Sequence, residues 1–313
     1  MSSFWCIMRE LIKKKWFSYV GALICVAFWG TAFPLIKLGY LRLGIDSSDI
    51  ASKLLFAGER FSLAGILVFA AGLVIYRKPA VIKKKDIAPV ALLGIVQTAL
   101  QYLFAYVGVG FTTAVNTSII TGTVSIISVV LAGLFFKNDR LTALKILGCI
   151  LGFAGIACVN LFDFSLSSVT FLGDIIVFLS AVSGAFGNII TKKISEGKNP
   201  TAVTAFQLFI GGMILLFCGV VFGGRTDYAS LSSVIILLWL AVVSSVSFLL
   251  WTALLKYHPV SRITIFTMLV PVFGTVWSFI LLGEEIIRIE NFISLALIVL
   301  GIIMVNVRGK NEN

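Results

Sequence analysis

Charged side chains are scarce in this sequence of 313 residues: aspartate, glutamate, lysine and arginine together make up 12% of it. In a soluble domain, about a quarter of the residues are charged. Hydrophobic residues make up 59% of the chain and are spread over its whole length. These proportions exclude a large soluble domain and predict an integral membrane protein with short loops.

Residues that commonly catalyse reactions are also few. His258 is the single histidine, and the five cysteines show neither a CxxC pair nor the spacing of a disulfide framework. Hydrolysis inside a membrane needs a nucleophile with a base, a pair of carboxylates or a metal site, and the sequence has no HExxH motif. The phosphate-binding loop pattern GxxxxGK is absent too. We therefore expect no enzyme activity, no metal, no cofactor and no direct use of ATP.

The net charge of +11 is concentrated in short clusters between apolar stretches, such as residues 13–15 and 83–85. Cytoplasmic loops of membrane proteins carry an excess of lysine and arginine, so this charge does not indicate a nucleic-acid partner. A helix needs about twenty apolar residues to cross the hydrocarbon core. Ten segments are predicted to do so: 18–40, 52–76, 87–107, 113–136, 142–161, 169–191, 201–222, 231–255, 260–282 and 289–307.

The loops between these segments differ in charge. Those on the side of the N-terminus, with both tails, hold nineteen lysines and arginines, whereas the opposite loops hold four. This asymmetry predicts that both termini are cytoplasmic and that the protein lies in the plasma (inner) membrane. Residues 1–17 are predicted to form a cytoplasmic amphipathic helix on the membrane surface, although a continuation of the first span explains them equally well. Residues 308–313 are predicted to form a cytoplasmic tail.

The chain also shows signs of an internal duplication. Shifting it by 146 residues places segments four and five on segments nine and ten, so that the pair at 155–156 meets an identical Gly-Ile pair at 301–302. The acidic corner at Asn138 and Asp139 then falls on Glu284 and Glu285. The units are predicted at 18–161 and 169–307. Because five is odd, they must be inverted, a plan that places a substrate site at the repeat interface near the midplane.

Several motifs resemble a known group of transporters. They are FWGTAF at 28–33, followed by Lys37, the sequence ERF at 59–61, LVPVF at 269–273 and LGEE at 282–285. In this order they resemble the drug/metabolite transporter superfamily, specifically the EamA-type transporters, over nearly the whole chain. The resemblance implies an all-α integral membrane fold of ten transmembrane helices, arranged as two inverted five-helix repeats around a central cavity. It also implies transport or export of metabolites such as amino acids.

Three ionisable residues lie inside predicted spans, where each costs at least a few kcal/mol. They are Lys37 in the first span, and Glu59 and Arg60 in the second. We interpret Glu59 as neutralising one of the two cations, which leaves the other to hold a substrate carboxylate or phosphate in the cavity. Glu59 is also the best candidate for proton coupling. The alternative is a structural ion pair, or cations that reach the membrane interface.

Uncharged polar and aromatic residues provide further candidates for the cavity wall. Gln97 and Gln101 are four residues apart and so share a helix face, and amides in hydrocarbon need partners such as each other, water or substrate. The alternative is that these side chains pack between helices. Pro271 is predicted as a hinge, since it frees a backbone carbonyl in the middle of a helix. The substrate-binding candidates are Trp29, Lys37, Glu59, Arg60, Gln97, Gln101, Tyr102, Asn116, Asn188, Gln207, Trp251 and Thr267.

These patterns favour a secondary transporter that exports small polar metabolites such as amino acids by alternating access of its two repeats. A membrane receptor or scaffold without transport activity is the alternative, because it needs no special residues. The expected partners are a small-molecule substrate and the membrane lipids, with no nucleic acid. A homodimer is compatible with the sequence.

Overall fold

The computed structural model describes residues 10–77, 79, 81–112, 114–160, 168–283 and 289–307. All regular structure in these residues is helical, and ten long helices follow one another along the chain. Their number and positions confirm the ten predicted segments to within a few residues at most ends. The helices are α1 Lys15–Leu43, α2 Ile50–Tyr76, α3 Lys84–Val109, α4 Ala114–Phe135, α5 Ala143–Asn160, α6 Ser168–Ser195, α7 Pro200–Val221, α8 Leu231–Tyr257, α9 Val260–Leu282 and α10 Ile289–Asn306.

Polarity in this bundle is the reverse of that in a soluble protein. Within the described ranges, eight helices are long and apolar enough to cross a membrane, and α5 and α10 are shorter apolar helices of 18 residues each. Large apolar side chains cover the outside: Leu134 and Leu231 are each 76% exposed. Inside, Gln207 and Ser244 are completely buried. Lipid around the bundle explains both features, because apolar surface is stable there and polar groups need partners within the protein. The predicted all-α membrane fold is confirmed.

Helix packing repeats when each helix is exchanged for the one five places further along. Helix α2 packs on α7, and α5 on α10. Helix α1 packs against α8 and α9. Its counterpart five places along, α6, packs in the same way against α3 and α4. The two halves therefore interlock, and each half contributes five helices. The predicted boundary at 161–169 falls mostly on residues outside the described ranges, as does the predicted acidic corner at Glu284 and Glu285.

Glycines let the paired helices touch through their backbones. A β-carbon at Gly65 of α2 would lie 2.6 Å from the backbone nitrogen of Phe209 in α7. One at Gly301 of α10 would lie 2.5 Å from the carbonyl oxygen of Gly148 in α5. Small residues at such crossings allow the close approach that drives helix association in lipid. These contacts fix the frame on which the interior polar residues are held.

Two helices depart from regular α geometry. Helix α3 contains a π-helical segment at Gly94–Leu100, and α9 contains a 3-10 segment at Ile265–Leu269, which ends two residues before Pro271. Segments of both kinds are often found at functional sites. Helix α3 ends at Val109, followed by a turn, which confirms the predicted break between the third and fourth spans.

The chain before α1 is anchored to the rest of the protein. Residues 10–13 are helical, but the extended backbone of Lys14 separates them from α1. The alternative of one continuous helix is therefore wrong, whereas the surface orientation of this segment stays a prediction. The Nε2 of His258 donates a hydrogen bond of 2.7 Å to the carbonyl of Ile12. We call this end of the bundle, where α1 begins and α10 ends, the terminal end, and the opposite one the distal end. Residues 1–9 and 308–313 lie outside the described ranges.

Candidate functional site

Polar and aromatic side chains meet in the interior of α1, α2, α3, α6, α7 and α8. They form three groups at different depths. The amide cluster (Gln97, Asn188 and Gln207, with Thr191) lies toward the terminal end. The aromatic cluster (Trp29, Phe61, Phe248 and Trp251) lies near the middle. The arginine cluster (Arg60, with Tyr40, Tyr102 and Tyr106) lies toward the distal end.

The amide cluster is a hydrogen-bonded network between helices of both halves. The Oε1 of Gln97 in α3 accepts from Thr191 of α6 at 2.8 Å and from the Nε2 of Gln207 in α7 at 2.9 Å. The Oδ1 of Asn188 in α6 accepts from the indole nitrogen of Trp251 in α8 at 3.0 Å, and lies 3.5 Å from the Nε2 of Gln97. All five side chains are buried. The Oε1 of Gln207 has no hydrogen-bond partner in the described part of the chain.

Local backbone geometry holds Gln97 and Gln101 against α6. A β-carbon at Gly187 would lie 2.6 Å from that of Gln97, and one at Gly184 would lie 2.9 Å from the Cδ of Gln101. Both amides thus face the same neighbouring helix, as their spacing predicts. Ser183 donates to the carbonyl of Val96 within the π segment at 2.7 Å. The half-buried side-chain amide of Gln101 makes no hydrogen bond to any described residue, which leaves it available to a solute.

The aromatic cluster closes the middle of the bundle. The ring centroid of Trp29 lies 4.9 Å from that of Trp251 and 5.5 Å from that of Phe248. Phe61 lies 4.4 Å from Tyr102 and 6.2 Å from Phe248. The indole nitrogen of Trp29 is buried and has no hydrogen-bond partner among the described residues. Such rings can stack on an apolar part of a solute, and this indole can donate to a polar one.

The arginine cluster contains a buried cation. Arg60 is 2% exposed, and its Nε donates to the hydroxyl of Ser244 at 2.8 Å. Its Cζ lies 4.9 Å from the ring of Phe61. Across the residues that the structure describes, no carboxylate lies within 4.0 Å of the guanidinium. Its charge acts on the hydroxyls of three tyrosines, Tyr40, Tyr102 and Tyr106.

Glu59 is not paired with either predicted cation. Its carboxylate accepts hydrogen bonds from Thr226 at 2.9 Å and from Tyr228, both in the loop between α7 and α8. Burial and this hydrogen bond to a carboxylate raise the pKa of Tyr228. Adjacent residues on a helix point about 100° apart, so Glu59 faces the loop while Arg60 faces the interior. Lys37 is exposed in the distal part of α1. The predicted neutralisation of Lys37 or Arg60 by Glu59 is therefore corrected.

Three further candidates lie away from these clusters. The Nδ2 of Asn116 donates to both carboxylate oxygens of Asp174, at 3.1 Å each, near the start of α4. The hydroxyl of Thr267 lies 2.5 Å from that of Ser125 and joins α9 to α4. Pro271 follows the 3-10 segment of α9, so the helix is irregular where the hinge is predicted.

Sequence reasoning missed several members of the site. Tyr106 and Thr191 were recoverable from spacing, since they stand four residues after Tyr102 and three after Asn188 on the same helix faces. Tyr40 and Phe248 gave no such signal, because an aromatic residue in a membrane helix packs equally well anywhere. Their roles depend on which helices become neighbours.

At the terminal end, Asp139 forms a buried junction between the two halves. Its carboxylate accepts from the backbone nitrogen of Ser261 at 2.9 Å, and from the hydroxyl of the same residue, in the first turn of α9. The Nζ of Lys145 in α5 lies 2.7 Å from the same carboxylate, and both side chains are buried. An acidic group here is stabilised by the N-terminus of a helix.

Known proteins share this chain's sequence pattern and fold. The model of the EamA-like transporter family matches residues 16–161 and 171–307. The uncharacterized transporter YvbV of Bacillus subtilis is 28% identical over 97% of this chain and 96% of its own. A probable amino-acid metabolite efflux pump of Escherichia coli is 25% identical over 93% and 94%. A crystal structure that is 16% identical shares the fold with a TM-score of 0.76, over 94% of this chain and 97% of that one. The resemblance seen in the sequence motifs is confirmed, and this multi-pass membrane protein belongs to the EamA-like transporter family.

Proposed function

We propose that this protein is a secondary transporter that exports small polar metabolites such as amino acids by alternating access of its two halves. Membership of a transporter family supports transport, and the similarity to the probable amino-acid metabolite efflux pump of Escherichia coli supports amino-acid metabolites as substrates. The excess of lysine and arginine on one side supports cytoplasmic termini in the plasma membrane.

The observation that carries the proposal is the amide cluster. It joins Gln97 of the first half to Asn188, Thr191 and Gln207 of the second half, in the interior of the bundle. Inverted-repeat transporters bind their substrates at such an interface. Relative movement of the halves breaks these hydrogen bonds and exposes amides that can bind a polar solute instead.

The energy needed for this exchange is moderate. Each neutral hydrogen bond contributes about 0.5–1.5 kcal/mol net. Breaking the two short bonds at Gln97, with Thr191 and Gln207, therefore costs roughly 1–3 kcal/mol. A solute that bonds to the same amides offsets this cost, which lowers the barrier between the inward-open and outward-open forms when substrate is bound.

The test is solute exchange in proteoliposomes that contain the purified protein. Vesicles are loaded with unlabelled amino acids, organic acids, amines or phosphorylated metabolites, and entry of the labelled compound is measured against protein-free vesicles. We expect exchange of at least one amino acid. The absence of exchange for every compound would refute the transporter and favour a receptor or scaffold.

Two variants connect this flux to the amide cluster. Gln97→Met keeps the length of the side chain but removes the amide, and we expect it to lower exchange at least tenfold. Thr121→Val is the matched control, because among the described residues this exposed threonine bonds only to the carbonyl of Thr117 in its own helix. It should leave exchange unchanged. Equal exchange rates for both variants would show that transport does not depend on the amide cluster.

A further inference from the structure

Arg60 is a buried cation whose charge is not neutralised by a nearby acid. Its side chain is almost wholly inaccessible, yet the only hydrogen bond from its guanidinium to a described residue is to the neutral hydroxyl of Ser244. The neighbouring carboxylate, that of Glu59, is bound to Thr226 and Tyr228 instead. A buried charge is costly unless it is paired and hydrogen-bonded. The arginine is thus prepared for an anion that is not part of the protein.

The guanidinium leaves one edge for such an anion. The Nε–H is taken by Ser244 at 2.8 Å, so the side edge formed by Nε and one Nη is occupied. The end formed by the two Nη atoms keeps its N–H groups, which are parallel and spaced to fit the two oxygens of a planar carboxylate. The ring of Phe61, 4.9 Å from the Cζ, packs against the cation and limits its movement.

The surrounding tyrosines add hydroxyl groups that can complete the binding of a carboxylate. The hydroxyl of Tyr40 is buried and lies beside that of Tyr106. The charge of Arg60 acts on it and on the hydroxyls of Tyr102 and Tyr106. A hydroxyl can donate to the lone pairs that a guanidinium leaves free on a carboxylate. The nearby rings of Trp29 and Phe248 suit an apolar part of the same solute.

A cavity at the distal surface lies on the same helix as this arginine, between one and two turns away. This cavity of about 580 Å³ opens at the distal end and is lined in part by Ser52, Leu55 and Thr226. Leu55 precedes Arg60 by five residues on α2, a rise of about 7–8 Å. Between them, Thr226 holds the carboxylate of Glu59 at 2.9 Å. The contact between Thr226 and Glu59 therefore stands between the cavity and the arginine cluster.

We propose that Arg60 binds the carboxylate of the transported solute end-on, and that the substrates are therefore monocarboxylates with an apolar side chain, such as amino acids. This inference rests on the proposed transport function and specifies its substrate class. A monoanion is favoured over a phosphate, because Arg60 is the one cation placed among the interior clusters of the described structure, and a dianion would keep an uncompensated charge there.

The experiment compares binding of matched compounds to the purified full-length protein by thermal shift and by displacement of a labelled amino acid. For phenylalanine and leucine, the acid is compared with its methyl ester and with the amine that lacks the carboxylate, and inorganic phosphate is included. We expect the acid to bind at least tenfold more tightly than the ester, the amine or phosphate. Equal affinity of acid and ester would overturn the proposal, and tight binding of phosphate would make this a general anion site.

Variants of Arg60 test whether this residue causes the preference for the acid over the ester. Arg60→Lys keeps the charge but loses the paired N–H groups, and it should weaken acid binding about tenfold or more. Arg60→Gln should bind acid and ester equally. Arg42→Gln, an exposed cation at the distal end of α1, is the control and should keep full selectivity. If the Arg60 variants fail to fold, the acid–ester comparison on the unaltered protein decides the question.

Measuring the flux of the same compounds tests the transport proposal and the carboxylate-site proposal independently. Exchange of amines or esters without exchange of acids would leave the transporter intact and refute the carboxylate site. Selective binding of acids without any exchange would support the carboxylate site and refute transport.

Discussion

Replacing Asp139 by alanine removes a carboxylate that accepts from three donors, on Lys145 and Ser261, at the terminal end. It leaves the ammonium of Lys145 buried without its acidic partner at 2.7 Å, and the backbone nitrogen of Ser261 without its acceptor at 2.9 Å. Breaking a buried ion pair by deleting one member costs about 3–5 kcal/mol. Loss of a helix N-terminal acceptor costs about 0.5–2 kcal/mol. Because both effects come from one carboxylate, we expect a total of about 3–5 kcal/mol rather than their sum.

The assay is reversible unfolding of the purified protein in mixed micelles by a denaturing detergent, followed by helical circular dichroism. Lys145→Met should cost about as much as Asp139→Ala, because it leaves the opposite charge unpaired. The double variant should cost less than the sum of the two, with a coupling energy of at least about 2 kcal/mol. The control is the pair of Asp86 and Lys198, which lies 3.4 Å apart and is partly exposed.

Exposed pairs contribute about 0–1 kcal/mol, so Asp86→Ala should have little effect. Additive costs for Asp139→Ala and Lys145→Met would refute the reasoning, since independent effects would mean that the two charges do not stabilise each other. A similar loss from Asp86→Ala would also refute it, because burial would then not be the cause.

Gly65→Ala should destabilise the bundle by about 1–3 kcal/mol or more in the same assay, because the added carbon meets the backbone nitrogen of Phe209 at 2.6 Å. Gly274→Ala should be neutral, since its nearest neighbour lies at 3.4 Å; equal effects would disprove the close contact between α2 and α7. Burial, with smaller contributions from nearby cations, lowers the pKa of His258 below its ordinary value of 6.5, although its hydrogen bond to Ile12 opposes this. At low pH the unfolded state therefore binds more protons than the folded state. The contribution of His258 to the free energy of unfolding is fully present above about pH 6.5 and is lost as the pH falls toward the pKa of the folded state. His258→Gln should accordingly reduce the loss of thermal stability between pH 7 and pH 5, and an unchanged pH slope would contradict this.

The helices were predictable because lipid imposes a strict rule on the sequence. Apolar runs of about twenty residues mark the spans, and clusters of lysine and arginine mark the loops between them. The same rule identified buried polar residues such as Gln97, Asn188 and Gln207 as candidates, because amides are rare in spans without a reason. Their mutual hydrogen bonds follow from which helices are neighbours, and a single sequence contains little information on that.

The errors concern side chains whose partners lie far away in the chain. Glu59 was expected to neutralise a nearby cation, but a loop more than 160 residues later supplies Thr226 and Tyr228 as its partners. The π segment in α3 was also not predictable, since its residues read as an ordinary apolar helix. A tertiary contact, the bond from Ser183 of α6 to the carbonyl of Val96, falls within this segment, and a single sequence does not show such a contact.

The central claim is that the interior of this bundle opens to each side of the membrane in turn. Gln101 tests it directly, because its half-buried side chain makes no hydrogen bond to the described residues and faces α6 beside the amide cluster. In a chain whose five cysteines are replaced, Gln101→Cys is treated with a membrane-impermeant thiol reagent in intact cells and in inverted vesicles. Alternating access predicts labelling from both sides, slowed in each case by a transported amino acid. Labelling from one side only, or labelling that no solute affects, would contradict it.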